Sequence, residues 1–133
     1  MAPMEDGPLL ARVVEMERAV GQASWDEARA FFTDDANYQV AGRGQYRGVD
    51  GIRRYMEWQG RLVTWTGHTP QMMLEHGNAA IIEVISHFRR LADDAELAIP
   101  CTDIYRFEGE RICDWRVYAD TASFLGGPVM AEI

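Results

Sequence analysis

Two acids sit where the local pattern calls for apolar side chains, and they are the first places to look for chemistry. Asp103 falls inside PCTDIYRF, an otherwise sheet-forming run. Glu17 follows Val13 by four residues and Val14 by three, and precedes Val20 by three, which puts it inside the apolar stripe of a helix. A carboxylate in either place must reach solvent, find a partner or take up a proton. Glu17 has the plain alternative of a stripe that opens to solvent at that point. Asp103 has two readings, set by the turn at Glu108-Gly109-Glu110. A three-residue loop puts it opposite Trp115 and facing a cavity; a two-residue loop puts it opposite Arg116, as an ordinary cross-strand pair.

The elements that must position these acids follow from periodicity. Pro8 suits a first helical position, and Leu9, Leu10, Val13, Val14, Met16 and Val20 extend the helix to about Ala23. Ser24-x-x-Glu27 reads as a capping box that opens a short second helix through Phe32, stopped at Thr33-Asp34-Asp35. Asn37 to Ala41 alternates as a strand with Tyr38 and Val40 on one face. Gly42, Gly44 and Gly48 make a loop around Tyr46; no lysine-plus-hydroxyl pair follows, so it is not a phosphate loop. A third helix is expected from Asp50 to Val63. Strands follow at about Gln71–Glu75, Ala79–Arg90, Leu97–Phe107 and Arg111–Ala119, with turns at His76-Gly77-Asn78 and Asp93-Asp94. Helices first and a meander of strands after them predict an α+β domain, with the helices packed on one face of a curved sheet.

Composition narrows the function. The 133 residues suit one domain, with tails at 1–7 and 126–133. The chain is 47% hydrophobic and 26% charged, ordinary for a globular protein. A net charge of −8 disfavours nucleic acid and anionic membranes as partners. No apolar run approaches a membrane span and no signal core follows the acidic start, so a cytoplasmic protein is expected. Cys101 and Cys113 lie on the two hairpin strands without facing each other, which argues for thiols. No Cys or His spacing suggests a metal site, and no cofactor is called for.

The order of elements, with FFTDDANYQV, GRGQYRGVDGIRRYM and GERICDWRVYAD, resembles the SnoaL-like branch of the nuclear transport factor 2-like superfamily from about Leu9 to Phe124. The resemblance implies a cone: a strongly bent, mainly antiparallel mixed sheet around three N-terminal helices, with a pocket in its mouth and dimers formed through the outer sheet face. It implies no single activity, since the superfamily includes ketosteroid isomerases, dehydratases, polyketide cyclases, epoxide hydrolases and non-enzymes. Asp103 falls on the acid by which the isomerases bond the substrate oxygen, while their base falls near Val40 and their helix-1 tyrosine near Glu17. The epoxide hydrolase triad falls on Val84, Ser86 and Val117, which cannot reproduce it; Tyr38 and Trp115 match that enzyme's pocket residues. His68 sits where the dehydratase and dehydrochlorinase branch carries a histidine, and Glu17 matches the helix-1 carboxylate that the dehydrochlorinase pairs with it. The same comparison favours Asp103 beside Trp115 inside the cone and Arg116 outside.

These residues imply a cavity with His68, Glu17, Asp103 and Tyr38 as its acid–base groups. Trp115, Phe88, Cys101, Val117, Ala119 and Phe124 would be its ligand-contacting walls. A histidine titrates near neutral pH, and a carboxylate on its other nitrogen would fix its tautomer. The expected chemistry is a cofactor-independent lyase or isomerase step, a dehydration or cyclisation that begins by proton abstraction. The alternative is a non-catalytic module that binds a hydrophobic small molecule or serves dimerisation. Arg116, Tyr118 and His87 would lie on the dimer face.

Overall fold

The structure is a computed structural model that describes residues 7–125; of the expected tails at 1–7 and 126–133, all but Gly7 lies outside the described residues. Helix α1 spans Pro8–Gly21 with proline in its first turn. Leu10, Val13, Met16 and Ala19 are its buried residues, whereas Val14, placed in the stripe by sequence, is 55% exposed. A step of three residues keeps the buried row on one side, and Val14 falls just past its edge. The Leu10 N–H donates to Glu75 Oε1 at 2.7 Å, satisfying one of the free donors at the helix start.

Helix α2 is one turn, Trp25–Ala28, continued by a 3-10 turn over Arg29–Phe31. The expected capping box does not form: the Ser24 side chain makes no cap hydrogen bond, and Glu27 is held by Arg18. Strand β1, Phe32–Val40, starts five residues before the Asn37 expected from alternation. Its register against the last strand shifts between Phe32 and Asn37, which breaks the alternation over Thr33-Asp34-Asp35. The glycine loop contains a strand, β2, Gly44–Arg47, paired with β1. Helix α3 spans Gly48–Gly60, so it begins and ends earlier than the pattern suggested. Gly48 has φ +67°, and an added Cβ there would lie 2.8 Å from the Asp34 carbonyl oxygen. Only glycine fits that turn into the helix.

Strand β3 spans Val63–His76, far longer than the expected Gln71–Glu75. Irregularities at Trp65/Gly67 and Pro70/Met72 hide its period while leaving it paired with β4, Ala79–Arg90. Strands β5, Glu96–Glu108, and β6, Arg111–Ala119, complete the sheet. The order is β2-β1-β6-β5-β4-β3, with β1 and β6 parallel and the other pairs antiparallel. This six-stranded mixed sheet does not close; it curls around the helices as a cone.

The main core joins α1, α3 and the inner sheet face through residues such as Val13, Met16, Phe32, Ile52, Ile82 and Ile112. A smaller cluster of Val63, Phe88, Leu97, Ile99 and Phe124 lies under a closing 3-10 turn, Ala122–Leu125. Two arginines hold that segment. Arg90 bonds Asp93 and the Ser123 carbonyl, and Arg43 bonds the Thr121 hydroxyl and carbonyl. No helix among the described residues is long and apolar enough to cross a membrane.

Candidate active site

Strand β5 sets the site. Its buried positions alternate through Leu97, Ile99, Cys101, Asp103, Tyr105 and Phe107, so one strand face delivers a thiol, a carboxyl and a phenol in a row. The β5–β6 register decides what lies beside Asp103. Glu108 pairs with Arg111 across a two-residue turn, which alone would bring Asp103 opposite Arg116. A bulge at Cys113 adds one residue, so Asp103 faces Val117 and Tyr105 faces Trp115. Neither pairing expected from turn length is therefore the observed one. The extra residue nevertheless restores the face: Asp103 and Trp115 are both buried inside. Arg116 bonds Asp114, which also takes bonds from Asn37 and Arg106 on the outer side.

All ten residues singled out in the sequence line one cavity of about 430 Å³. Five strands, helix α1 and the closing 3-10 turn contribute them. Glu17 comes from α1, Tyr38 from β1, His68 from β3, Phe88 from β4, Cys101 and Asp103 from β5. Trp115, Val117 and Ala119 come from β6, and Phe124 from the closing turn. His76 and His87 lie elsewhere; His87 Nε2 is 2.7 Å from the Thr69 hydroxyl at the outer surface.

The polar groups form one connected row. Glu17 Oε2 is 3.5 Å from His68 Nδ1, and both side chains are about one-fifth exposed. Glu17 Oε1 accepts from the Tyr105 hydroxyl at 3.2 Å. The same hydroxyl is 3.4 Å from Asp103 Oδ2, and the Cys101 thiol donates to Asp103 Oδ1 at 3.4 Å. Tyr105 has one proton for two acids. With Asp103 protonated, the row is consistent from end to end: Asp103 gives to Tyr105, Tyr105 gives to Glu17, and His68 gives to Glu17. His68 Nε2 is then the ring nitrogen left without a partner among the described residues.

Electrostatics agree with that assignment. Burial pushes the Asp103 carboxyl up to about 7, and the charge of Glu17 adds to it; bonds from Cys101 and Tyr105 and the charge of His68 only partly offset them. For His68, burial acts to lower the pKa, but the bond to Glu17 and the charges of Glu17 and Asp103 outweigh it and raise the ring above 6.5. Burial raises Tyr38 well above the ordinary phenol value, and it raises Tyr55 to about 12, so both remain neutral hydroxyls.

Sequence reasoning missed three residues. Tyr105 is fully buried and links the acids; its signal was its place two residues after Asp103 on the same strand face. Tyr55, on α3, lines the cavity with its ring 5.6 Å from that of Tyr38, and helical spacing marked it only as a packing residue. Trp65 stands at the mouth with its ring edge-on to His68 at 4.9 Å, inside a stretch whose strand character was hidden. The hydroxyls of Tyr38 and Tyr55 make no hydrogen bonds among the described residues, and neither is a fully enclosed orphan. The Trp115 Nε1 is such an orphan, with the rings of Phe32, Tyr38 and Tyr105 packed around the indole. Trp115 therefore supplies wall rather than a donor. No group of three metal-binding side chains occurs among the described residues.

The fold has counterparts among known proteins. Residues 13–115 match the profile of the SnoaL-like domain. No curated protein matches the chain. Among solved structures, an NTF2-like protein from Burkholderia xenovorans superposes with a TM-score of 0.77 at 14% identity, covering 92% of this chain and 97% of that one. A candidate SnoaL-like polyketide cyclase from Shewanella putrefaciens gives 0.75 at 16% identity, covering 87% and 92%. A protein of ketosteroid isomerase-like fold from Catenulispora acidiphila, solved in complex with trimethylamine, gives 0.72 at 18% identity, covering 85% and 88%. At these identities the likeness is one of fold.

Proposed function

Since the chain belongs to the SnoaL-like family and holds a small-molecule pocket, we propose that it is a cofactor-independent lyase or isomerase that moves a proton on a small ring compound. The observation that carries this reading is the meeting of His68 and Glu17, from β3 and α1, at the wall of a largely apolar cavity. In that reading Glu17 holds His68 Nδ1, leaving Nε2 to take a proton from carbon beside a carbonyl or leaving group. The neutral carboxyl of Asp103 and the hydroxyl of Tyr38 are the donors placed to receive the oxygen on which charge develops. The phenyl and indole walls exclude water from the reacting carbon. A cavity of this size suits one or two fused rings. Pairing of two copies through the outer sheet face, with Arg116, Tyr118 and His87, is part of the same proposal, and sedimentation tests it; a strict monomer would refute it.

The test needs no knowledge of the natural substrate. A cyclic ketone such as 2-tetralone is incubated in heavy water, and loss of its α-proton signal is followed by NMR. The protein is expected to accelerate exchange above buffer, and His68→Gln is expected to remove that acceleration. Binding of the ketone without accelerated exchange would leave a binding module and refute the catalytic role.

A further inference from the structure

The cavity has an unbalanced charge inventory. Glu17 and Asp103 lie on its wall and Glu57 at its rim, yet no arginine is among the residues that line it. The chain has 13 basic residues, all of them arginine, so no lysine is in reach either. The one cationic side chain on the wall is His68, already beside Glu17. Asp103, 4% exposed, is left with only neutral partners, the Cys101 thiol and the Tyr105 hydroxyl. Aromatic side chains from four elements, Tyr38, Tyr55, Trp65 and Trp115, line the same cavity. Tyr38 and Tyr55 are each 2% exposed, and their hydroxyls have no partner among the described residues. A hydroxyl oxygen accepts as well as donates.

Rings and acids without a fixed cation make an environment that attracts positive charge and repels negative charge. We propose that the cavity binds an organic ammonium ion, its N–H directed to Asp103 and the tyrosine hydroxyls and its hydrocarbon body against the rings. This rests on the cavity being a small-molecule site and narrows the class of molecule it takes. Carboxylates and phosphate esters find no arginine on the wall, and the one cationic side chain, His68, is already beside Glu17, so they meet Asp103 and Glu17 instead.

The arrival of a cation favours the ionised form of Asp103, so binding releases a proton. The titratable groups that share the cavity with Asp103 are Glu17 from α1, Tyr38 from β1, Tyr55 and Glu57 from α3, His68 from β3 and Cys101 on β5, with Tyr105 bonded to Asp103 itself; β4 and β6 present Ser86 and Trp115, which carry no charge. Arg43 acts on Tyr55 but is bonded to Thr121. With Asp103 titrating at about 7, its ionised fraction grows about tenfold from roughly pH 6 to roughly pH 8, and affinity for a cation grows with it.

Three probes of one shape separate the outcomes: N,N-dimethylbenzylammonium, its uncharged isostere isobutylbenzene, and the anion phenylacetate. Each is titrated into the full chain by calorimetry at both pH values and in buffers of different ionisation enthalpy. The ammonium is expected to bind most tightly, to gain about tenfold in affinity on going to the higher pH, and to release a proton. Phenylacetate is expected not to bind. In Asp103→Asn the ammonium's gain with pH should shrink to the part that loss of the His68 charge supplies, in His68→Gln most of it should persist, and in the double variant it should vanish; proton release by the unaltered protein gives the same information should a variant not fold. Binding of isobutylbenzene or phenylacetate as tightly as the ammonium at the higher pH would overturn the proposal and leave the cavity as a small-molecule site. Binding by none of the three would overturn both.

Discussion

Asp103→Asn should stabilise this protein at alkaline pH and leave it nearly unchanged at acid pH. The carboxyl is buried, and its pKa moves from 3.8 to about 7 on folding. An acid raised in the folded state binds its proton more tightly there than in the unfolded chain, so stability is lost as pH climbs from about 4 to about 7. A move of that size corresponds to about 4 kcal/mol at the alkaline end, an upper figure, since relaxation and water entry reduce it. Asparagine keeps the shape, can accept from Cys101 and give an N–H to Tyr105, and never ionises. Urea unfolding followed by tryptophan fluorescence would show it. With an m of ~1.5 kcal/mol per M, a gain of about 3 kcal/mol moves the midpoint by about 2 M near pH 8. His68 titrates in a neighbouring window. Its pKa is raised, so its contribution is complete below 6.5 and lost as pH rises through the folded value. It therefore slopes the same way, and the comparison is repeated in a His68→Gln background. A stability difference between the unaltered protein and the Asp103→Asn variant that is equal at about pH 5 and about pH 8 would refute the reasoning.

Glu17→Gln should drop the His68 pKa below that of a free histidine, because burial remains while the chief opposing charge goes; NMR titration of the ring protons checks it. Tyr105→Phe should lose about 1–3 kcal/mol, since two buried bonds to acids disappear. It should also push Asp103 still higher, because the Tyr105 bond holds that carboxyl down; the loss of stability with rising pH would then extend to higher pH. Gly48→Ala places a side chain at φ +67° against the Asp34 carbonyl, and should cost at least ~1–2 kcal/mol, visible as a Tm several degrees lower.

Much of this site was legible because its misfits were local. Glu17 broke a helical stripe and Asp103 broke a strand, and both anomalies led into the cavity. What the sequence left open was long-range parity. The face of Asp103 depends on a turn of two residues plus a bulge at Cys113, and nothing in CDWRVYAD distinguishes a bulged cysteine from a paired one. The length of β3 was hidden for a related reason: Gly67 and Pro70 look like loop chemistry, yet they sit at irregular points of a strand that stays paired with β4. Tyr105 was overlooked because a buried tyrosine in a strand is ordinary packing until its hydroxyl is found between two acids. Val14 and the Ser24 cap show the reverse error, where a local pattern was satisfied on paper but Val14 lies exposed past the buried row and Glu27 is held by Arg18.

The row from His68 to Asp103 does two jobs, and they pull against each other. Helix α1 meets the sheet through carboxylates at both ends: Glu75 takes the Leu10 N–H at one, and Glu17 takes Tyr105 and approaches His68 at the other. Between them Val13 and Met16 supply apolar contact. Glu17 is thus a clamp for the helix that forms one wall of the cavity as well as the partner of its imidazole. Burial of a second acid, Asp103, beside the charge of Glu17 raises the cost of ionising it, and the bonds from Cys101 and Tyr105 only partly offset this, so the carboxyl titrates at about 7. A site arranged for stability alone would place a leucine at this position of β5 and let Tyr105 bond Glu17 undivided. On the proposed reading, the shared phenol serves a second acid whose state changes, through a bound charge or a proton in transit.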